Sequence, residues 1–350
     1  MIEHSQSTIG KQELAALSEV TRSNFLAEGE VVRRFEEKIA SMIGAPGAVA
    51  SSTGTLALHL ALLTLGLEPS DKVIVPSYIC RSVLNALYYC RLQPIVCDIE
   101  EDTYNLSFKQ VRKKMSKGIK AILLAHMFGL PCSVDRFKDL GVPVIEDCAH
   151  APGAQYKGRL VGGFGDLAIF SFEGTKMLST GEGGMVVANS RKFLNRLRAL
   201  KEPCCNDLPT KYTYRMTNMQ AAVGLVQLKR LPDFIRKRNA IASVYHRAFD
   251  NFDIVSPQVQ YHDRCHIYHR YVIQIKGNIQ VFMKYALSKG VKIKQPIKPM
   301  SLHQYLQYDP KYFPVTEYVM KKTISIPIYP NLSSAQVKYI IETVRPQLSK

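Results

Sequence analysis

Lys176 closes the run Ser171-Phe172-Glu173-Gly174-Thr175-Lys176, between an apolar, strand-like stretch and the turn-rich Ser179-Thr180-Gly181-Glu182-Gly183-Gly184. A lysine near a strand end, held by a glycine-rich loop, can project into a cleft. Once its surroundings deprotonate it, the amine can attack a carbonyl and form an imine. Upstream, Val144-Ile145-Glu146-Asp147-Cys148-Ala149-His150 carries an acidic pair to the end of another apolar run. Successive side chains of a strand point to opposite faces, so only one of Glu146 and Asp147 needs to face the cleft. A carboxylate there can keep a pyridine nitrogen protonated and turn an aromatic ring into an electron sink. A third segment, Ser51-Ser52-Thr53-Gly54-Thr55-Leu56-Ala57-Leu58, leads from a strand into a helix. Small residues at such a junction let backbone amides approach a phosphate, and the helix N-terminus adds partial positive charge.

Each signal has a plainer reading on its own: a surface lysine, a helix cap or ion pair, and an ordinary N-cap. The third segment is neither a Walker A loop nor a G-x-G-x-x-G turn, which argues against a nucleotide site. Together, and in this chain order, a phosphate cradle, a carboxylate for a ring nitrogen and an imine-forming lysine describe one cofactor, pyridoxal 5′-phosphate (PLP).

The elements that must position these groups are legible as apolar runs of strand length. They cover Gly47 to Ser51, Lys72 to Val75, Gln93 to Asp98, Ala121 to His126, Val142 to Glu146, Leu167 to Ser171 and Gly184 to Ala188. Most are continuous rather than alternating, which suits a sheet covered on both faces. Helical stretches at Thr55 to Thr64, Ser82 to Cys90 and Ser107 to Met115 lie between them. This alternation predicts an α/β sandwich with a mainly parallel central sheet. A long helix is expected from near Thr217, ending or kinking at Pro232, with a successor from Asp233 to Asn251. From about residue 265 the pattern changes to strand (HIYHRYVIQIK), helix (Gln280 to Lys289), strand and final helix (Ser334 to Leu348). The expected division is a large domain over 1–235, opening with a helical segment, and a smaller α+β domain over 236–350.

The 350 residues can bury a large core, and 46% apolar composition reads as globular. No apolar window is long enough for a membrane span, and the opening MIEHSQSTIG carries no secretory pattern, so a cytoplasmic protein is expected. Eight cysteines occur without a C-x-x-C pair, and the adjacent Cys204 and Cys205 cannot bridge each other in normal geometry. Free thiols and no metal site are therefore expected. The formal charge of +17 attracts anions, but the basic residues are scattered and no nucleic-acid motif accompanies them. A small phosphorylated substrate suits this charge better than nucleic acid.

From Phe35-Glu36 to FPVTEYVMKKTISIPIYPNLS the chain resembles the DegT/DnrJ/EryC1/StrS family of sugar aminotransferases, which have the PLP fold type I architecture. The resemblance is densest from Glu146 to Gly184, in IEDCAHAPGAQYKGRLVGGFGDLAIFSFEGTK and GEGGMVV. It implies that Lys176 forms the Schiff base with PLP and that Asp147 binds the pyridine nitrogen. It also implies that His150 lies near the ring and its 3-hydroxyl, and that Ser171, Gly54 and Thr55 hold the phosphate. A homodimer with shared active sites follows, a loop of the neighbouring subunit reaching the phosphate. The implied activity moves an amino group from glutamate or glutamine to a keto-sugar, for which a nucleotide-linked keto-deoxyhexose is the expected class. The chain departs from the family pattern at Cys80, where relatives commonly stack an aromatic ring on PLP, and at Thr213, where many carry asparagine. Lys294-Gln295-Pro296 replaces an often histidine-rich segment, and Ala27 stands at a familiar threonine. Alternatives are a PLP sugar dehydratase, whose relatives commonly replace the lysine with histidine, a cyclitol aminotransferase, a PLP lyase or desulfurase, and a non-catalytic ligand-sensing regulator.

Overall fold

The computed structural model describes residues 1–201, 212–250, 252 and 261–348; Cys204, Cys205 and Asn251 lie outside the described residues. The seven expected strands form one sheet: β1 (Gly47–Ser51), β2 (Lys72–Pro76), β3 (Gln93–Cys97), β4 (Ile119–Ala125), β5 (Val144–Asp147), β6 (Leu167–Ser171) and β7 (Gly184–Ala188). Their spatial order is β1-β7-β6-β5-β4-β2-β3. The pairs β2/β3, β2/β4, β4/β5 and β5/β6 are parallel. β7 alone runs the other way, antiparallel to both β1 and β6.

Continuous apolar runs form these strands because both faces are covered. Val49, Ile169 and Val186 enter one core with the helices Gly54–Leu65 and Ser82–Tyr89. Their neighbours Ala48, Ala50, Ala168, Phe170, Met185 and Val187 enter the opposite core with Phe35 and Ala221. One-residue alternation between two dry layers requires apolar side chains at every position, which erases the polar–apolar rhythm of a half-exposed strand.

A second core gathers Tyr271, Ile273, Ile324, Ile326, Ile340 and Val344. There the strand Tyr271–Gln274 pairs antiparallel with Thr323–Ile326, and helices Ile279–Ser288 and Ser334–Leu348 accompany the pair. The strand expected over HIYHRYVIQIK narrows to those four residues. Ile2 belongs to this core as well, and His4 Nε2 meets Ser325 Oγ at 2.9 Å, so the N-terminal segment crosses onto it.

Pro232 neither ends nor breaks its helix, which runs continuously from Asn218 to Phe249. An interior proline forfeits one helical hydrogen bond and costs about 3 kcal/mol. Burial on both sides offsets that cost: Ala221 and Leu231 pack in the sheet core, and Ile241, Ala242, Tyr245 and Phe249 in the second core. The helix starts where the sequence requires it. Thr217 Oγ1 accepts the Gln220 amide at 3.2 Å, and Gln220 Oε1 accepts the Thr217 amide at 2.9 Å, a reciprocal capping box. Among the described residues no helix is long and apolar enough to cross a membrane, and the six cysteines are free.

Gly224 is where this long helix touches the Phe35 ring; a Cβ there would lie 2.7 Å from Cζ and 2.8 Å from Cε1. Phe35 is fully buried, so the ring cannot swing into solvent. Gly224→Ala is expected to destabilise the protein by about 1–3 kcal/mol in chemical denaturation despite the better helix propensity of alanine. A stabilised variant would contradict this packing.

Candidate active site

The parallel strands β2, β4, β5 and β6 all end at the same edge of the sheet, where an open α/β fold forms its crevice. Asp147 is the last residue of β5 and Ser171 the last of β6. The Thr53-Gly54 turn follows β1, and Cys80 lies just beyond β2. Gly54, Thr55, Cys80, Asp147, Ser171 and Lys176 line one cleft of about 340 Å³, which Thr53, Ser82, Glu173 and Glu182 share. Residues more than a hundred positions apart thus converge through strand register.

The loop bearing Lys176 is fixed by its own backbone. The Phe172 amide donates to Gly183 O, the Thr180 amide to Phe172 O and the Lys176 amide to Glu173 O, each at 2.9 Å. Gly181 takes a left-handed turn at φ +83°. On the far wall Thr53 Oγ1 caps the following helix by accepting the Leu56 amide at 3.2 Å. The walls meet closely, since a Cβ on Gly54 would lie 2.7 Å from Ser171 Cβ and 2.9 Å from its Oγ. One on Gly184 would lie 2.2 Å from Thr53 O. Glycine at both positions keeps backbone amides and the Ser171 hydroxyl bare to the cleft.

Burial lowers the Lys176 amine from the usual lysine range; the charges of Cys80 and Asp147 oppose this, and Arg270 adds to it. Among the described residues the amine makes no ion pair. Burial likewise raises the Asp147 carboxyl, against the Ala149 amide and Lys176, which favour its ionised form. Asp147 Oδ1 accepts the Ala149 amide at 2.9 Å, and its other oxygen has no hydrogen-bond partner among the described residues.

Of the acidic pair only Asp147 faces the cleft. Glu146 is fully buried on the other side, where it accepts the amides of Gly162 (2.9 Å), Phe164 (2.8 Å) and Gly165 (2.6 Å) and the His126 ring at 3.0 Å. Burial opposes its ionisation, but His126 and the Gly165 and Gly162 amides outweigh that and hold the carboxyl below its ordinary range. His126, Glu146 and Cys148 could in principle surround a metal ion. The His126 and Glu146 atoms are already committed: His126 Nδ1 accepts the Cys132 amide at 3.0 Å, so Nε2 carries the proton and donates it to Glu146. Glu146 is an anchor that holds the turn before β6 against β5, a role its sequence neighbourhood does not reveal.

His150 is half-buried behind the cleft, stacked on His269 with ring centroids 4.3 Å apart. Burial, reinforced by Lys176 and Arg270, keeps its imidazole neutral, well below the usual histidine range. Thr213 is exposed on the segment before the Asn218–Phe249 helix and does not line its own chain's cleft. Sequence reasoning missed Ser82, Glu173 and Glu182 as lining residues and Arg270 as a nearby charge. Glu173 stood in the quoted SFEGTK run without a role, and Arg270 was hidden inside an apolar strand pattern.

A mostly parallel seven-stranded sheet between helices, with its cleft at the strand ends and a smaller second core, is the fold of the type I PLP-dependent aminotransferases. The aminotransferase TlmJ from Streptoalloteichus hindustanus superimposes with a TM-score of 0.92 at 28% identity, covering 100% of this chain and 99% of that one. The putative sugar aminotransferase Spr1654 from Streptococcus pneumoniae, in its PLP form, gives 0.93 at 22% identity over 99% of this chain and 98% of that one. Residues 7–345 match the DegT/DnrJ/EryC1/StrS aminotransferase family, and the chain belongs to it. GDP-perosamine synthase of Escherichia coli O157:H7 is 33% identical over 355 residues, 97% of this chain and 96% of its own.

The electrostatics of Lys176 set a testable pH profile. Only the neutral amine acylates, so trace acetylation of the cofactor-free protein reads the titration of each lysine. Lys176 is expected to reach half-maximal labelling below the ordinary lysine value of roughly 10.4, while exposed lysines follow that value. Lys176 labelling that tracks the exposed lysines would contradict the desolvation described here.

Proposed function

We propose that this chain is a PLP-dependent aminotransferase that moves an amino group from glutamate or glutamine onto a nucleotide-linked keto-sugar. The observation that carries this reading is the convergence of Lys176, from the loop after β6, and Asp147, from the end of β5, on one cleft whose far wall is the bare Gly54–Ser171 contact. The residues fit the cofactor. Gly54 leaves no room for a side chain, the amides opening the Gly54–Leu65 helix suit a phosphate, and an oxygen of Asp147 stands unpaired for a protonated ring nitrogen.

When bound, PLP supplies an aldehyde that condenses with amines and a ring that accepts the electron pair released at the neighbouring carbon. The chain's own groups divide the remaining work. Lys176 would hold the cofactor and, with its amine free, would serve as the base that moves the proton from the donor carbon. Burial, which lowers its pKa, favours the unprotonated amine that this task needs. Asp147 pairs with the ring nitrogen; its raised pKa marks a carboxylate short of compensating charge, which a protonated nitrogen supplies. His150, held neutral by burial, would add no cation to compete with a protonated ring nitrogen. Cys80 fills the wall beside Lys176 with a small thiol.

The acceptor class rests on the relative named GDP-perosamine synthase and on the basic charge of this chain. Lys176 itself favours amination over the dehydratase alternative. That Thr213 is exposed and outside its own chain's cleft supports the reading that it serves the cleft of a second copy in a homodimer.

Lys176→Ala is expected to lower turnover with amino donor and keto-sugar by ~1000-fold or more, because it removes both the attachment and the base. Asp147→Asn is expected to retain PLP but lose roughly 100-fold or more in rate. Steady-state kinetics checks both. Turnover near wild type in Lys176→Ala would refute the function, and in Asp147→Asn the ring-nitrogen role alone.

A further inference from the structure

The segment before the first helix, Lys11–Ser23, runs from the second core to the loop that bears Lys176. At its start the Ile2 amide donates to Gly290 O at 2.7 Å and the Lys292 amide to Ile2 O at 3.0 Å. Farther along, the half-buried Ser7 hydroxyl donates to Gly174 O. Thr8 O accepts both Gln227 Nε2 at 2.9 Å and Arg230 Nη1 at 3.1 Å. Behind them stands Glu13, fully buried. Its Oε1 takes Gln227 Nε2 at 2.8 Å and Arg230 Nη1 at 2.5 Å, and its Oε2 takes the Gly10 amide at 2.8 Å. Gln227 is buried within the Asn218–Phe249 helix, and its partners fix which way its amide points. A carbonyl and a carboxylate only accept, so Nε2 must face Thr8 and Glu13. Oε1 is left for the Ser179 amide, which donates to it at 3.5 Å. Both N–H groups and the oxygen of this side chain are thereby used.

Gly174 lies two residues before Lys176 and Ser179 three residues after it, so one cluster grips the loop on both sides of the lysine. Resting on the functional reading above, we propose that Ser7 and Gln227 are positioning residues, which clamp the backbone at Gly174 and Ser179 so that the Lys176 side chain is held in the cleft. Stability alone gives little reason for this arrangement, since a buried carboxylate with its partners is often worth no more than apolar side chains of similar volume. Hydrogen bonds are directional where apolar packing is not, and the two backbone groups held here decide where Lys176 emerges. Glu13 and Arg230 act one step further back. Glu13 holds Gln227 Nε2, which keeps Oε1 on Ser179, and the Arg230 guanidinium balances its buried charge. Because the other end of the segment is bonded to Gly290 and Lys292, the lysine loop is tied to the second core as well.

The test compares Ser7→Ala, which deletes one hydroxyl, with Gln227→Leu, which deletes the amide at similar volume. Hydrogen exchange of the full-length protein is followed by mass spectrometry with and without PLP. The peptide spanning Gly174 to Gly181 is expected to exchange roughly 3- to 10-fold faster in each variant, with β7 unchanged. Trace acetylation of the cofactor-free chain should show half-maximal labelling of Lys176 moved up toward that of the exposed lysines in both variants. Ser7→Thr, which keeps the hydroxyl, should exchange and label like the wild type. With PLP and L-glutamate alone, the half-reaction followed by cofactor absorbance should slow by roughly 10-fold or more in Gln227→Leu, with its half-saturating concentration unchanged. Loop exchange or Lys176 labelling unchanged in both variants would overturn the assignment, and so would an acceleration shared equally by β7. Should Gln227→Leu fail to fold, Ser7→Ala and Ser7→Thr decide on the same readings. A wild-type protein that takes up no PLP would refute the aminotransferase reading instead, and exchange and labelling of the cofactor-free chain would still judge the clamp.

Discussion

Water would keep a lysine amine and an aspartate carboxyl charged, and the cleft at the sheet edge pushes both toward neutrality. Two unit charges near 4 Å attract by about 4 kcal/mol at an effective dielectric of 20, while desolvating each ion costs several kcal/mol. Desolvation is the leading influence on each group, lowering Lys176 and raising Asp147, while the attraction between their charges opposes both shifts. The fold holds an amine ready to act as a nucleophile and a carboxylate in need of a cationic partner. Those are the two electrical conditions that a pyridine-ring cofactor with an aldehyde satisfies.

Holding such a pair requires rigidity on the hidden side of the strands. Glu146 supplies it: one carboxylate binds three amides of the turn from Gly162 to Gly165 and the ring of His126. Because alternate residues of a strand face opposite ways, anchoring Glu146 fixes the direction of Asp147. The close contact of Gly54 with Ser171, and of Gly184 with Thr53, sets the opposite wall. The His150–His269 stack, with ring centroids 4.3 Å apart, ties the segment after β5 to the residues leading into the second core's strand.

The sheet was legible because seven apolar runs bounded by turn residues have no other low-energy arrangement than a covered sheet. The reacting groups were legible because Lys176, Asp147 and Gly54 combine side-chain chemistry with strand-end positions. Other features escaped for physical reasons. The helix through Pro232 persists because burial in two cores outweighs a local penalty that sequence reading registers alone. Glu146 acts through partners more than ten residues away, and His126 becomes its neighbour only through strand pairing. Thr213 could not be placed at a phosphate within one chain, because its own chain's cleft does not include it.

The most direct check on this account is covalent. The purified protein is mixed with PLP, reduced with borohydride, digested, and its peptides weighed. One pyridoxyl group on the peptide containing Lys176, with the visible absorbance band lost on reduction, is the predicted result. A label spread over surface lysines, or a Lys176 peptide of unmodified mass, would contradict it.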